Sequence, residues 1–262
     1  YKEYSKIHRQ LSLINFIEIY MATTVISAFN DFQKNIVNLD SATSSTARNS
    51  RNWLLDQISN FPENNDNFPN LYPEIDIGFG SFARKTKTRP LDDIDLMVGI
   101  KADGCTYYER SWDDIELKFP ENYSGKLKKY AKTLDSSGLS STRITNAFKS
   151  ELSKVSQYSS AEIKRDGEAA TLKLKSYTWN FDIVPCFLTS PDSDGNSYYL
   201  IPNRSGSWKK TNPKTDRDRL SAVNQNQSGN VLNVIRILKY WKQEKRVNIG
   251  SYLLEAMILY YY

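Results

Sequence analysis

Apolar positions recur along this chain at two spacings, and the alternation between them lays out an order of elements. Helical spacing at Trp53, Leu54, Ile58 and Phe61 predicts a helix over 50–60, and a second is predicted over 11–37. A Pro/Asn-rich loop follows at 61–73. Segment 74–81, ending in a Gly-Ser turn, and segment 93–100, DIDLMVGI, read as strands. Short helices are predicted at 127–134 and 141–155, while the stretch YYERSWDDIELKFPEN between them and the second strand fits neither period well. Strict alternation marks 169–177 as a half-buried strand, the more continuous run 179–188 as a central one, and 197–202 as another. The polar stretch 203–218 reads as a loop. The clearest helix is 228–246, with an apolar stripe at Val231, Val234, Ile235, Leu238 and Trp241. Helices, then a mixed sheet, then helices again make an α+β protein.

The segment Leu11–Phe29 follows Lys2, Lys6 and Arg9 and superficially resembles a secretory leader. Asn15 and Glu18 interrupt it and no small-x-small cleavage site follows, so a buried helix is the expectation. No stretch is long and apolar enough to span a bilayer. The first residue is Tyr and the last run, YLLEAMILYYY, is apolar, which reads as a fragment cut inside a helix.

Composition narrows the chemistry. The 262 residues suffice for a sizeable core. A net charge of +5 suits anionic ligands without demanding a polyanion. His8 is the single histidine and lies in a polar stretch, which removes Ser-His-Asp, Cys-His and His-ligated zinc catalysis from consideration. Cys105 and Cys186 stand far apart, as two lone thiols of a reducing cytoplasm. An enzyme with this inventory works with carboxylates, lysines, hydroxyls or a metal.

The stretch GFGSFARKTKTRPLDDIDLMVGI supplies such a set. Residues i and i+2 of a strand share a face, so Asp93 and Asp95 present two carboxylates side by side, while Asp92 turns the other way as a solvated neighbour. Paired carboxylates repel, and a hard divalent cation such as Mg²⁺ or Mn²⁺ relieves them. Asp182, flanked by Phe181 and Ile183, sits in a run too apolar for a casual surface charge. If the strands at 74–81, 93–100 and 179–188 share a sheet, the three acids converge, as two-metal phosphoryl transfer requires. Gly80 and Ser81 would then hold phosphate oxygens, with Arg84, Lys85, Lys87 and Arg89 available to neutralise more of a triphosphate.

GSFARKTKTRPLDDIDLMV together with FDIVPCF resembles the signature of the DNA polymerase β-like nucleotidyltransferases. More narrowly, the chain resembles the bacterial cGAS/DncV-like nucleotidyltransferases, the cyclic-oligonucleotide synthases of antiphage defence. ARNSRNWLLDQI, YYLIPNRSGSWKKTNP, VIRILKYWKQ and SYLLEAMIL follow that family's order. The resemblance implies a nucleotidyltransferase core over 1–205 and the start of an incomplete helical lobe over 206–262, with the active site in the cleft between them. It implies Asp93, Asp95 and Asp182 as catalytic ligands of two Mg²⁺ ions (Mn²⁺ as a substitute), and Gly80 and Ser81 as the phosphate turn. Lys239 would contact the donor triphosphate, Ser251 and Tyr252 would line the nucleotide pocket with the tyrosine stacked on a base, and SWKKTNP would border the cleft. Read without the family, Lys239 is a solvated helix residue and Tyr252 a core aromatic. The implied reaction joins NTPs (ATP, GTP or pyrimidine NTPs) into a cyclic di- or trinucleotide with loss of pyrophosphate, in the cytoplasm. A separate effector would bind the product. No zinc ribbon is present to support a DNA activator, and no membrane partner is implied. A linear polymerase acting on RNA or another hydroxyl, and an inactive nucleotide-binding protein, are the alternatives.

Overall fold

A computed structural model describes residues 24–133 and 136–262. His8 and the first part of the 11–37 helix lie outside them. The chain enters through helix α1 (Val25–Phe32), extended by a π turn over Gln33–Val37. Helix α2 (Ser41–Ser59) begins nine residues before the expected 50–60 helix. Asp40 caps it, accepting the Thr43 N–H at 2.7 Å, so a Ser/Thr-rich stretch without an apolar stripe is helical from its cap. The one-turn helix α3 (Phe61–Asn64) leads to strand β1 (Ile77–Phe79) and the one-turn helix α4 (Gly80–Ala83).

The sheet continues with β2 (Asp93–Gly99), β3 (Thr106–Ser111), β4 (Asp114–Lys118), β5 (Glu162–Asp166), β6 (Ala169–Lys173), β7 (Asn180–Leu188), β8 (Tyr199–Pro202) and β9 (Trp208–Thr211), with helix α5 (Ser141–Leu152) inserted between β4 and β5. The order is β1-β2-β7-β8-β9-β4-β3, and the β5–β6 hairpin adds to β7 through β6. Among the described strands only β2 and β7 pair in parallel; the other pairs are antiparallel. Three helices close the chain: α6 (Pro213–Asn226), α7 (Val231–Glu244) and α8 (Ser251–Tyr261).

Period-2 alternation splits the sheet residues between two apolar layers. Ile94, Leu96 and Val98 of β2 and Phe181 and Ile183 of β7 join the large core, covered by Leu54 and Ile58 of α2 and Ile144, Phe148 and Leu152 of α5. Each such side chain contributes about 1.5–3 kcal/mol by leaving water. Met97, Val184 and Cys186 point the other way, into a smaller cluster. Leu220, Val231, Ile235 and Ile258 form a third, which belongs to the closing helices.

Several expectations need correction. The polar run 203–218 is not a loop. Trp208 is fully buried and its Nε1–H donates to the Leu139 carbonyl at 3.1 Å, which fixes β9, and Asn212 then caps α6 with Pro213 at its first turn. The sheet thus runs on to Thr211, past residue 205, and the helices begin at Pro213. The ambiguous stretch is the β3–β4 hairpin. Residues 126–130 make a 3₁₀ turn rather than an α-helix. No residue of Val25–Phe32 is buried, against the expectation of a buried helix; this element packs at its far end, where Phe32 meets Tyr240 edge-on at 5.4 Å and Val37 is enclosed. In α7 the stripe holds at Val231 and Ile235, but Trp241 is exposed.

Candidate active site

The acids stand where β1, β2 and β7 lie side by side. Asp95 pairs in register with Phe79 on one side and with Asp182 on the other, and Asp93 pairs with Asn180. The three carboxylates therefore occupy the face that carries Met97 and Val184, and the parallel β2–β7 contact makes Asp95 and Asp182 direct neighbours. Thr171 on β6 donates its hydroxyl to Asp182 Oδ1 at 2.6 Å.

Gly80 packs directly against Asp95. Its φ is +68°, a conformation that favours glycine, and a Cβ at this position would lie 1.8 Å from Asp95 Oδ2. The Gly-Ser turn is thus shaped by the acid behind it as well as by any phosphate in front. Beyond it the chain folds back, with the Thr86 and Lys87 N–H groups donating to the Ser81 carbonyl at 2.9 and 3.1 Å.

That fold-back delivers Lys87 to the acids, where its ammonium pairs with both Asp92 and Asp93. Burial pulls the Lys87 pKa down, and the two aspartates more than reverse this, leaving it above the ordinary lysine value. Asp92 is exposed, as expected, but it shares Lys87 rather than standing alone: β2 starts at Asp93, so strand alternation does not reach Asp92. Burial raises Asp93, against the pull of Lys87. Asp95 is pushed up to about 7, first by burial and then by Asp93 and Asp182. Among the described residues it has no cation partner of its own and no side-chain hydrogen bond.

Residues from the closing helices face Asp93 across a cleft of about 430 Å³, lined among others by Ser81, Lys87, Asp93, Lys239, Ser251 and Tyr252; Asp95 and Asp182 lie on the same strand face but do not line it. Lys239 is 8% exposed, so it is not a solvated helix residue, and Tyr252 is 56% exposed, so it is not a core aromatic. Lys239 Nζ donates to Glu255 Oε1 at 2.8 Å. Burial lowers the Lys239 pKa and Glu255 offsets this in part. Glu255, 3% exposed, also takes Arg84 at 3.1 Å and the Thr86 hydroxyl at 2.9 Å, tying α8 to the loop after Gly80-Ser81. Lys242 Nζ donates to Ser251 Oγ at 2.9 Å, and Tyr252 donates to Asp216 Oδ1 at 2.9 Å with the Arg84 guanidinium 5.6 Å from its ring centre.

Of the four cations named with the Gly-Ser turn, Arg84 and Lys87 line this cleft. Arg89 is turned to the backbone of the π turn, donating to the Asn35 and Lys34 carbonyls, and Lys85 lines a different cavity. SWKKTNP does not line the cleft either. Lys209 pairs with Glu168, and Lys210 pairs with Glu109 among Tyr107, Trp112 and Tyr198, in a groove that shares Tyr252 with the cleft. Two residues central to the site escaped sequence reading. Lys87 was one cation among four, and Glu255 stood inside an apolar run, the same signal that singled out Asp182.

No family model matches the chain. It is 48% identical over 243 residues to a probable cyclic nucleotide synthase of Bacillus cereus (strain VD146), covering 92% of this chain and 72% of that protein. The chain belongs to the bacterial cGAS/DncV-like nucleotidyltransferases. It is a nucleotidyltransferase of the cyclic-oligonucleotide synthase branch. Its α+β architecture is the polymerase β-like one shared with solved members of that family. E. coli MS115-1 CdnC with ATP matches with a TM-score of 0.54 and 19% identity, over 87% of this chain and 62% of that one. The same protein in complex with HORMA-ΔN matches with a TM-score of 0.52 and 21% identity, over 86% and 60%. The chain thus spans about three fifths of the length of these solved cGAS/DncV-like structures.

The donor set fits a hard divalent cation: three oxygen ligands share one face, and Asp95 there lacks a counter-charge of its own. In the present arrangement Lys87 holds Asp93, and no group of three His, Cys, Asp or Glu side chains among the described residues is closed around a metal-binding point.

Proposed function

We propose that this nucleotidyltransferase joins NTPs, ATP and GTP among them, into a cyclic di- or trinucleotide with release of pyrophosphate. The observation that carries the reading is the in-register Asp95–Asp182 pair, with Asp93 on the same face and at the wall of a cleft that also brings Arg84, after the Gly-Ser turn, and Lys239, from the closing helices. Asp93, Asp95 and Asp182 would hold Mg²⁺, with Mn²⁺ as a substitute. Bound there, the metal supplies Lewis-acid stabilisation of charge building on the reacting phosphate. The protein's own groups do the rest. Lys239 and Arg84 act as positive charges for the donor triphosphate, releasing Glu255 in part as they engage it. Ser81 adds a hydroxyl donor at the phosphate turn, Ser251 lines the pocket, and the exposed Tyr252 ring offers a face on which a base stacks. Asp182, whose Oδ1 is taken by Thr171, draws the proton from the attacking 3′- or 2′-hydroxyl as that oxygen approaches the α-phosphate.

The product would act as a second messenger in antiphage signalling, read by a separate effector. The reading places the enzyme in the cytoplasm. Two free thiols support this, and no described helix is long and apolar enough to cross a membrane.

Incubation with four NTPs and Mg²⁺, phosphatase treatment and mass spectrometry of the resistant product test the function. A cyclic product is expected, and Asp93→Asn with Asp95→Asn should lower its yield by at least about 10³-fold while leaving the circular dichroism spectrum intact. Extension of a labelled RNA without any resistant small product would overturn the cyclic reading in favour of a linear transferase.

A further inference from the structure

The segment from Ser81 to Lys85, the one-turn helix and the two residues after it, divides its side chains between two cavities. Ser81 and Arg84 line the cleft, while Phe82, Ala83 and Lys85 line a second cavity of about 400 Å³. Its walls bring in Arg48 and Arg51 from α2 and Arg236 from α7, and Lys87 borders both spaces. Five cations therefore surround one cavity, and no carboxylate lines it among the described residues.

We propose that this cavity is a binding site for a small molecule carrying two or three linked phosphates, separate from the nucleotide cleft. The charges are arranged as though a counter-charge belongs there. Arg48, Arg51, Lys85 and Arg236 form no salt bridge among the described residues. Arg48 and Arg51 sit one turn apart on α2, a spacing at which like charges repel. Arg51 reaches only the Asn52 amide oxygen, at 3.1 and 2.9 Å. Arg236 spends Nη1 on the Lys85 carbonyl at 3.0 Å and Nη2 on Asn233 at 2.6 Å, while its Nε is buried with no acceptor. Burial holds both guanidinium groups below the ordinary arginine range, and Arg48 adds to this at Arg51.

The chemistry favours phosphate. Guanidinium forks match phosphate oxygens in pairs, and five cations outmatch one carboxylate but suit a di- or triphosphate group. The size favours a small molecule. Three separate elements border this half-open space of about 400 Å³, with Leu39 and Phe82 as apolar walls, which suits a compact occupant, whereas a nucleic-acid backbone is tracked along a continuous groove. Lys87 links the two spaces: an occupant here competes with Asp93 for the same ammonium.

Equilibrium dialysis of the whole chain against inorganic tripolyphosphate, with EDTA present, tests the site. Two equivalents per chain are expected. Arg48→Ala with Arg51→Ala should remove one, and Lys239→Ala should weaken the other. Lys85→Asn, which retains a residue tolerant of the left-handed backbone there, should weaken the first equivalent about tenfold on its own, so the reading stands if the double variant does not fold. The proposal is overturned by a single equivalent lost only in Lys239→Ala, or by two equivalents indifferent to Arg48, Arg51 and Lys85. Citrate binding as tightly as tripolyphosphate, or a single-stranded oligonucleotide binding where tripolyphosphate does not, would also overturn it.

Discussion

Two cavities meet at Lys87, and they treat charge in opposite ways. In the cleft, acids and cations are partners already: Lys87 with Asp92 and Asp93, Lys239 and Arg84 with Glu255. In the second cavity Arg48, Arg51, Lys85 and Arg236 have no acid partner among the described residues, and only the shared Lys87 reaches one. Internal pairing keeps reactive groups oriented and exchangeable, since a ligand need only replace one partner with another. Unpaired charge stores repulsion that an arriving anion relieves. The cleft is thus built to exchange ligands during turnover, and the basic cavity to retain one.

Gly80→Ala breaks the cleft side hardest. The added methyl group displaces Asp95 and strains a φ of +68°, and a misplacement on that scale should lower turnover about 10²-fold while leaving tripolyphosphate binding in the basic cavity unchanged. Kinetics and dialysis on the same preparation check both halves. Glu255→Ala comes next: removing one side of a buried pair leaves Lys239 and Arg84 uncompensated, and urea unfolding should show a loss of ~3 kcal/mol.

The next pair of variants differs in sign. Lys87→Ala leaves two acids without their cation and should destabilise by about 1 kcal/mol. Arg48→Ala removes a repulsion and should stabilise by about 0.3 kcal/mol in phosphate-free buffer. Destabilisation by both would mean that the arginines of the basic cavity have partners after all. A pH series calibrates both cavities against an acid in neither. Asp76 is raised from 3.8 to about 6, mainly by burial, against the Gly99 N–H that donates to it at 2.7 Å. Because its folded pKa is raised, the folded state holds a proton that the unfolded chain releases, so stability falls as pH climbs from about 4 to about 6. Tm against pH should flatten over that window in Asp76→Asn.

Much of this arrangement was readable from residue order, because alternation is a local property. The faces of β2 and β7 follow from period 2, and Asp182 stood out as a charge among apolar neighbours. The conditional step, that the strands at 74–81, 93–100 and 179–188 share one sheet, is what the structure supplies through β1-β2-β7. What stayed hidden was non-local or polar. β9 is held by Trp208 reaching Leu139, and α6 is nucleated by its Asn212 cap, so neither carries an apolar pattern of its own. The basic cavity draws on α2, α7 and the loop between β1 and β2, and no single window of the chain contains it. Lys87 could not be told from Arg84, Lys85 and Arg89 because only the fold-back onto the Ser81 carbonyl decides which cation meets the acids.

The parallel β2–β7 pairing also sets when the enzyme can exist at all. Asp95 and Asp182 are neighbours in the sheet but roughly ninety positions apart in the chain, and contacts of that separation form late because the loop between them must close first. During synthesis the ribosome delivers Asp93, Asp95 and the Gly-Ser turn long before the third acid emerges. A nascent or truncated chain can present the phosphate turn without the complete carboxylate set, which closes only with β7, and without the cleft, which waits for α7 and α8.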